Sequence, residues 1–274
     1  MDNAKELYLD LLKKALTFYL WEDRAAAKLL FEPQNPIKKA IFDRFLGYLK
    51  KRHMQLANFS EFDPEKRKNG LDWPLMADTM IGLKRLDNIQ FCVESVIKDK
   101  IPGDLIETGV WRGGAIIFMR AILKAHGVTD RVVWAADSFE GLPAPDVEKY
   151  PADAGSRFHQ FKVLQVTLES VKANIEKYGM LDDQVKFLKG WFTDTLPGAP
   201  IKNLAVLRLD GDMYESTMDG LINLYPKVSK GGFIIVDDYG IAECQKAIDD
   251  YRKQNSVNDT IVKIDASSVY WRRL

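Results

Sequence analysis

Cysteine is scarce. Cys92 and Cys244 are the two present in 274 residues, too few for a disulfide framework and without metal-site spacing. That usage suits a reducing compartment. Excess charge of either sign is also missing, since Lys+Arg and Asp+Glu both total 39. No global basic field points to nucleic acid. The local clusters Lys50, Lys51, Arg52 and Lys66, Arg67, Lys68 read as solvated helix faces. No apolar run approaches the ~20 residues that span a bilayer, and the amphipathic opening "MDNAKELYLDLLKK" lacks a signal-peptide core. A cytoplasmic location with no membrane partner is expected. There is no repeat and no low-complexity tract. What remains is 46% hydrophobic and 28% charged, enough for a large core in one domain, or in one domain with an appendage.

Residues 1 to about 57 carry apolar residues at helical spacing, broken near 32–36 by "EPQNP". The polar stretch "NFSEFDPEKRKNGLDWP" (58–74) reads as a mobile loop or lid. A further helix spans about 83–98. From residue 104 the texture changes. Short apolar runs at 104–109, 131–137, 184–190, 204–210 and 231–238 alternate with helical stretches near 113–126, 163–178, 215–228 and 241–254. Alternation of this kind predicts a parallel sheet covered on both faces. Two closing strands, 259–266 and 267–273, are nearly contiguous and predict an antiparallel hairpin at one side. The result is an α/β, Rossmann-like class I methyltransferase architecture. It has a mostly parallel seven-stranded sheet, a C-terminal antiparallel hairpin and a helical N-terminal region. Ligands of such sheets sit outside the carboxyl ends of the strands.

Acidic residues gather at those ends. Asp210 and Asp212 follow "LAVLRL", and Asp237 and Asp238 follow "GGFIIV". Carboxylates avoid burial beside one another unless a cation compensates or a loop solvates them. Gly109 permits a tight turn after the first strand, and Gly113 and Gly114 let the backbone approach a ligand at the next helix. The G-x-x-x-G-G spacing departs from the dinucleotide fingerprint G-x-G-x-x-G. Glu107 would repel a pyrophosphate but suits a ligand with a positively charged amino group. Asp137 ends the second strand, where it can accept ribose hydroxyls or serve as a turn aspartate. Trp191 and Phe192, after the third strand, can pack on an adenine or into the core.

The motifs "ETGVWRGGA", "ADSFEGLP", "LRLDGDMYEST", "GGFIIVDDYG" and "VYWRR", with "DWPLMADTMIGLKRLDNIQ" upstream, together resemble the macrocin O-methyltransferase family over residues 72–274. The resemblance implies magnesium-dependent transfer of a methyl group from S-adenosylmethionine to a sugar hydroxyl of a natural product. It implies metal ligands at Asp210, Asp237 and Asp238, with Asp210 also the general base. Implied cofactor contacts are Thr79, Met80, Glu107, Thr108, Gly109, Arg112, Gly113, Gly114, Asp137, Ser138, Gly190, Trp191 and Asp210. Tyr214 and Tyr239 are expected in the sugar pocket, and His159 is a further acceptor candidate. Asp212 is expected to cap the helix near Glu215, with acceptor contact as its second reading, and Asp182 and Asp183 to lie in a solvated turn. Residues 1–78 form the helical region and lid, residues 79–274 the methyltransferase domain. The family likeness also implies a homodimer or higher oligomer with a small glycoside acceptor. A catechol-type O-methyltransferase and a nicotinamide-dependent oxidoreductase are the competing readings.

Overall fold

In the computed structural model, which describes residues 2–21, 27, 28, 33, 35–54, 56, 58, 59 and 61–274, the N-terminal third is mainly helical. Helix α1 (Asp2–Leu16) is followed by a two-residue strand β1 (Ala27–Lys28) and by helix α2 (Pro36–Lys51). Asn35 caps α2 by accepting from the Ile37 and Lys38 amides, and Pro36 occupies the first turn, where its missing N–H costs nothing. The parts of the helical reading at 22–26, 29–32 and 34 lie outside the described residues.

The stretch expected as a mobile loop is more ordered than its polarity suggests. Strand β2 (Asn58–Phe59) pairs antiparallel with β1, and Pro64–Lys68 forms the short helix α3. Asp63 caps that helix through the Glu65 and Lys66 amides. Asp-Pro is itself a helix-start signal. Arg67, one of the basic residues read as solvated, is fully buried here.

The sheet begins after helix α4 (Leu83–Lys98). In chain order come β3 (Asp104–Thr108), α5 (Gly114–Ala125), β4 (Val133–Asp137), α6 (Leu168–Lys177), β5 (Val185–Lys189), α7 (Phe192–Thr195), β6 (Leu204–Leu209), α8 (Tyr214–Leu224), β7 (Val228–Val236), α9 (Ala242–Gln254), β8 (Val262–Lys263) and β9 (Val269–Arg272). The strand order is β5-β4-β3-β6-β7-β9-β8. The five strands β3 to β7 are parallel, and β9 runs antiparallel between β7 and β8. The expected seven-stranded sheet and closing hairpin are therefore present, the last strand being inserted rather than at the edge.

Strand alternation divides the core into two layers. Leu105, Val206 and Phe233 face α1, α4 and α5, where Leu9, Leu86, Ile89 and Phe118 are buried. Ile106, Leu207 and Ile234 face α8 and α9, where Leu221, Leu224 and Ile248 are buried. Each such fully buried side chain contributes roughly 1.5–3 kcal/mol. All six residues of β6 are buried, including Arg208. The chain order reverses direction across the sheet between β3 and β6, which places a crevice at their carboxyl ends. Among the described residues no helix is long and apolar enough to cross a membrane.

Candidate active site

A cavity of about 660 Å³ opens at the carboxyl ends of the parallel strands. Two glycines fix its floor. Gly109 has φ +88°, and a Cβ there would lie 1.6 Å from the Asp210 carbonyl oxygen. The turn after β3 thus touches the end of β6, and only glycine permits that approach. At Gly114 a Cβ would lie 2.5 Å from the Thr79 Cβ. The expected close approach at this turn is therefore by the protein's own 78–79 segment. Gly113 likewise faces Val171 and Ile175 rather than the cavity.

Asp210, Asp237 and Asp238 each offer a carboxylate oxygen, and these oxygens all lie within 4.8 Å of one another. Among themselves they would repel, and Arg208 relieves part of that repulsion. Its Nη1 donates to Glu107 and, at 2.6 Å, to Asp210 Oδ2, and its Nη2 donates to Asp237. Arg85 donates to the other Asp237 oxygen and, at 2.7 Å, to Asp265 Oδ2. The charge at the strand ends thus has protein partners that were not anticipated. The signal available in the sequence was a lone arginine in the apolar run "LAVLRL", since a buried guanidinium requires partners.

Compensation is partial. At full ionisation the six carboxylates of Glu107, Asp210, Asp212, Asp237, Asp238 and Asp265 outnumber the two guanidiniums by four. Burial, followed by the Asp210 and Asp237 charges, pushes Asp212 up to about 7. Burial, followed by Asp212 and Asp210, lifts Asp238 well above the usual carboxylate range. Burial and Asp237 raise Asp210, against the pull of Arg208. An all-oxygen donor set with unspent negative charge fits a hard divalent cation such as Mg2+.

The other expected residues divide into two groups. Thr79, Met80, Glu107, Gly109, Gly114, Asp137, Ser138, Gly190 and Trp191 line the cavity. Within that group Asp137 already accepts the Val110 amide at 2.6 Å and the Phe139 amide at 2.7 Å, so it also shapes the turns around it. Thr108, Arg112 and Gly113 do not line it. The Thr108 hydroxyl turns to the Arg208 carbonyl within the sheet. Arg112 donates to the Leu75 and Ala77 carbonyls and stacks on Trp111, holding the segment before Asp78.

Several assignments change. Tyr214 and Tyr239 do not line the cavity, because their hydroxyls donate to Asp250 and Asp249 on α9. His159 is not in the lining, although its neighbours Phe158 and Phe161 are. Asp212 does not cap α8. Its φ is +57°, and its own amide donates to Asp238 Oδ2 at 3.1 Å. The cap comes from Asp153, whose two oxygens accept the Tyr214 and Glu215 amides. Asp182 is bound by Arg120 at 2.6 Å rather than by solvent alone.

A mostly parallel sheet of this order, with its crevice at the β3/β6 ends, is the fold of class I methyltransferases. The family comparison is more particular. A model of the macrocin O-methyltransferase (TylF) family matches residues 5–273, and the chain belongs to that family. It is 51% identical over 272 residues to the 8-demethyl-8-(2,3-dimethoxy-alpha-L-rhamnosyl)-tetracenomycin-C 4'-O-methyltransferase of Streptomyces olivaceus, covering 99% of this chain and 94% of that one. It is 47% identical to the mycinamicin III 3''-O-methyltransferase of Micromonospora griseorubida (98% and 96% covered) and 49% identical to the demethyldecarbamoylnovobiocin O-methyltransferase of Streptomyces niveus (100% and 98% covered). The solved O-methyltransferase NovP superposes with a TM-score of 0.83 at 47% identity, over 98% of this chain and 99% of that one. The protein is accordingly an O-methyltransferase.

Proposed function

We propose that this enzyme transfers a methyl group from S-adenosylmethionine to a sugar hydroxyl of a glycosylated natural product, with Mg2+ held by Asp210, Asp237 and Asp238. The observation that carries the chemistry is the carboxylate trio within 4.8 Å at the cavity floor. The acceptor class is supported by relatives named for sugar-bearing natural products. Bound Mg2+ would lower the pKa of the acceptor hydroxyl and fix its direction.

The base role expected of Asp210 passes to Asp212 in this reading. Asp210 Oδ2 is already taken by Arg208. Asp212 lines the cavity two residues further on. Its carboxylate enters none of the arginine contacts or helix caps found at the site. Bound S-adenosylmethionine would supply the sulfonium methyl, whose carbon–sulfur bond breaks as the acceptor oxygen takes the methyl group, and Asp212 would accept the hydroxyl proton. Glu107 receives the cofactor's ammonium group, and Trp191, 37% exposed at the rim, packs on the adenine. Residues 1–78 act as helical region and lid. In helix α2 the residues Ile37, Ile41, Phe45 and Tyr48 form one exposed apolar stripe, which supports the homodimer reading.

The test is methylation of mycinamicin III, demethyldecarbamoylnovobiocin and the tetracenomycin rhamnoside, with catechols in parallel, before and after chelation. Turnover of at least one glycoside, lost with EDTA and restored by Mg2+, is expected. Turnover of catechols alone overturns the sugar reading, and activity indifferent to the chelator removes the metal.

A further inference from the structure

Helix α8 begins without a side-chain cap of its own, because the residue at its N-cap is Met213. Its first two amides instead reach across 61 and 62 residues of sequence to one carboxylate. Asp153 Oδ1 accepts Tyr214 N–H at 2.7 Å, and Oδ2 accepts Glu215 N–H at 3.0 Å. Asp153 is fully buried. It ends a single 3-10 turn, Pro151–Asp153, within the long connection from β4 to α6.

The peptide just before those two amides is the Asp210–Gly211–Asp212 turn. Asp212 sits in the left-handed region, where a residue with a side chain is held only by its surroundings. Three contacts hold it. The Met213 amide closes the turn onto the Gly211 carbonyl at 2.5 Å. The Asp238 carboxylate accepts its amide, and Asp153 fixes the chain two residues later. The connection that carries Asp153 also reaches the cavity. Leu142, Pro143, Phe158 and Phe161 line it, and Trp111 Nε1 donates to the Val163 carbonyl at 2.9 Å. One loop therefore lines the cavity and, through Asp153, holds the start of α8 two residues after Asp212.

We propose that Asp153 is a positioning residue that couples the acceptor-contacting loop to the placement of Asp212. This rests on the reading of Asp212 as the base. A docked loop clamps the start of α8 and sets the Asp212 carboxylate at the cavity. An undocked loop leaves the two amides unpaired and lets the strained turn relax away from the acceptor. An ångström of misplacement of a catalytic group is enough to cost about 100-fold in rate.

The experiment compares Asp153→Ala, Asp153→Asn, Asp212→Asn and Thr167→Ala, using the glycoside that the wild type turns over. Thr167 caps α6 through the Ser170 amide and belongs to no catalytic part. Its variant therefore reports the loss of a cap as such. For Asp153→Ala we expect kcat to fall by about 100-fold and acceptor KM to rise, with the S-adenosylhomocysteine Kd unchanged by calorimetry. Asparagine keeps one acceptor oxygen and should leave kcat about three- to tenfold below wild type. Thr167→Ala should keep kcat within about twofold at a comparable loss of Tm. Wild-type kcat in Asp153→Ala, no recovery with asparagine, or an equal fall in Thr167→Ala overturns the proposal. If Asp153→Ala does not fold, the asparagine variant decides alone, because an unaltered kcat/KM there is equally fatal. Full activity in Asp212→Asn overturns the base reading and the proposal with it. A dead Asp212→Asn beside an unimpaired Asp153→Ala overturns the proposal alone.

Discussion

Glu107 is 2% exposed, in β3, between β4 and β6. Burial pushes its carboxyl up to about 8, although Arg208 pulls it down; Asp210, Asp237 and Asp137 add to the rise. In the unfolded chain a glutamate titrates near ~4.3. Between those values the native state binds a proton that the unfolded state does not, so stability from this group falls as pH rises and levels off above about 8. The slope from one such group approaches ~1.4 kcal/mol per pH unit. Urea unfolding between pH 5 and 9 should therefore show a steeper decline for wild type than for Glu107→Gln, which cannot ionise. Equal slopes would show that Glu107 does not carry the titration. At this scale the sequence was legible wherever a carboxylate ended an apolar run. Asp210, Asp237 and Asp238 announced themselves by position alone. Arg208 left only the signal of a lone arginine in an apolar run, and Arg85 and Asp153 left none, because their partners are remote along the chain. Arg85 meets Asp237 across 152 residues and Asp265 across 180, and no local pattern encodes such a pairing.

Elements were legible where periodicity was strong, and strands β3 to β7 fall inside or overlap their apolar runs. The 58–74 segment was misleading because its polarity conceals an anchor. Arg67 is fully buried, lies 3.2 Å from Asp72 and donates to the Met80 and Ile81 carbonyls. Gly70 and Gly82 meet back to back, so close that a Cβ on Gly82 would sit 2.3 Å from Gly70 N and Lys68 O. Helix α3 and the turn after it are thereby fastened to the 79–82 segment, and both contribute cavity wall through Leu71, Trp73, Thr79 and Met80. Breaking one partner of a buried pair costs about 3–5 kcal/mol. Arg67→Met should thus raise amide exchange across residues 64–82 by an order of magnitude or more, while β3, β6 and β7 keep wild-type protection. The same variant should weaken S-adenosylhomocysteine binding, since Thr79 and Met80 lose their support. Uniformly faster exchange throughout the sheet would mean that Arg67 serves global stability rather than this element.

Across the whole molecule the formal charge is zero, yet it is unevenly spent. Ten carboxyl groups line the cavity, Glu107, Asp212 and Asp238 among them being pushed up by burial, and its two arginines, Arg85 and Arg208, are both committed to carboxylates. A cleft lined by one sign of charge focuses its field and selects ligands by charge. S-adenosylmethionine, with sulfonium, ammonium and one carboxylate, carries a net positive charge and is drawn in. S-adenosylhomocysteine has lost the sulfonium charge and should therefore be held less tightly. A sugar carried on a nucleoside diphosphate brings two phosphate charges with no uncommitted cation among the cavity residues, and like-charge contact of that kind costs several kcal/mol. We therefore expect the sugar to be methylated after its glycosidic bond has been made, when the diphosphate has gone. Two measurements follow from this one field. Calorimetric affinity for S-adenosylmethionine should fall by about threefold or more between 0.05 M and 0.5 M salt, while that for S-adenosylhomocysteine changes little, because screening acts on the net charge. Nucleoside diphosphate sugars, offered with Mg2+ at the concentration that saturates the glycoside, should be neither methylated nor inhibitory. Equal salt dependence of the two cofactor forms, or turnover of the sugar nucleotide, would mean that the cavity's charge does not govern what enters it.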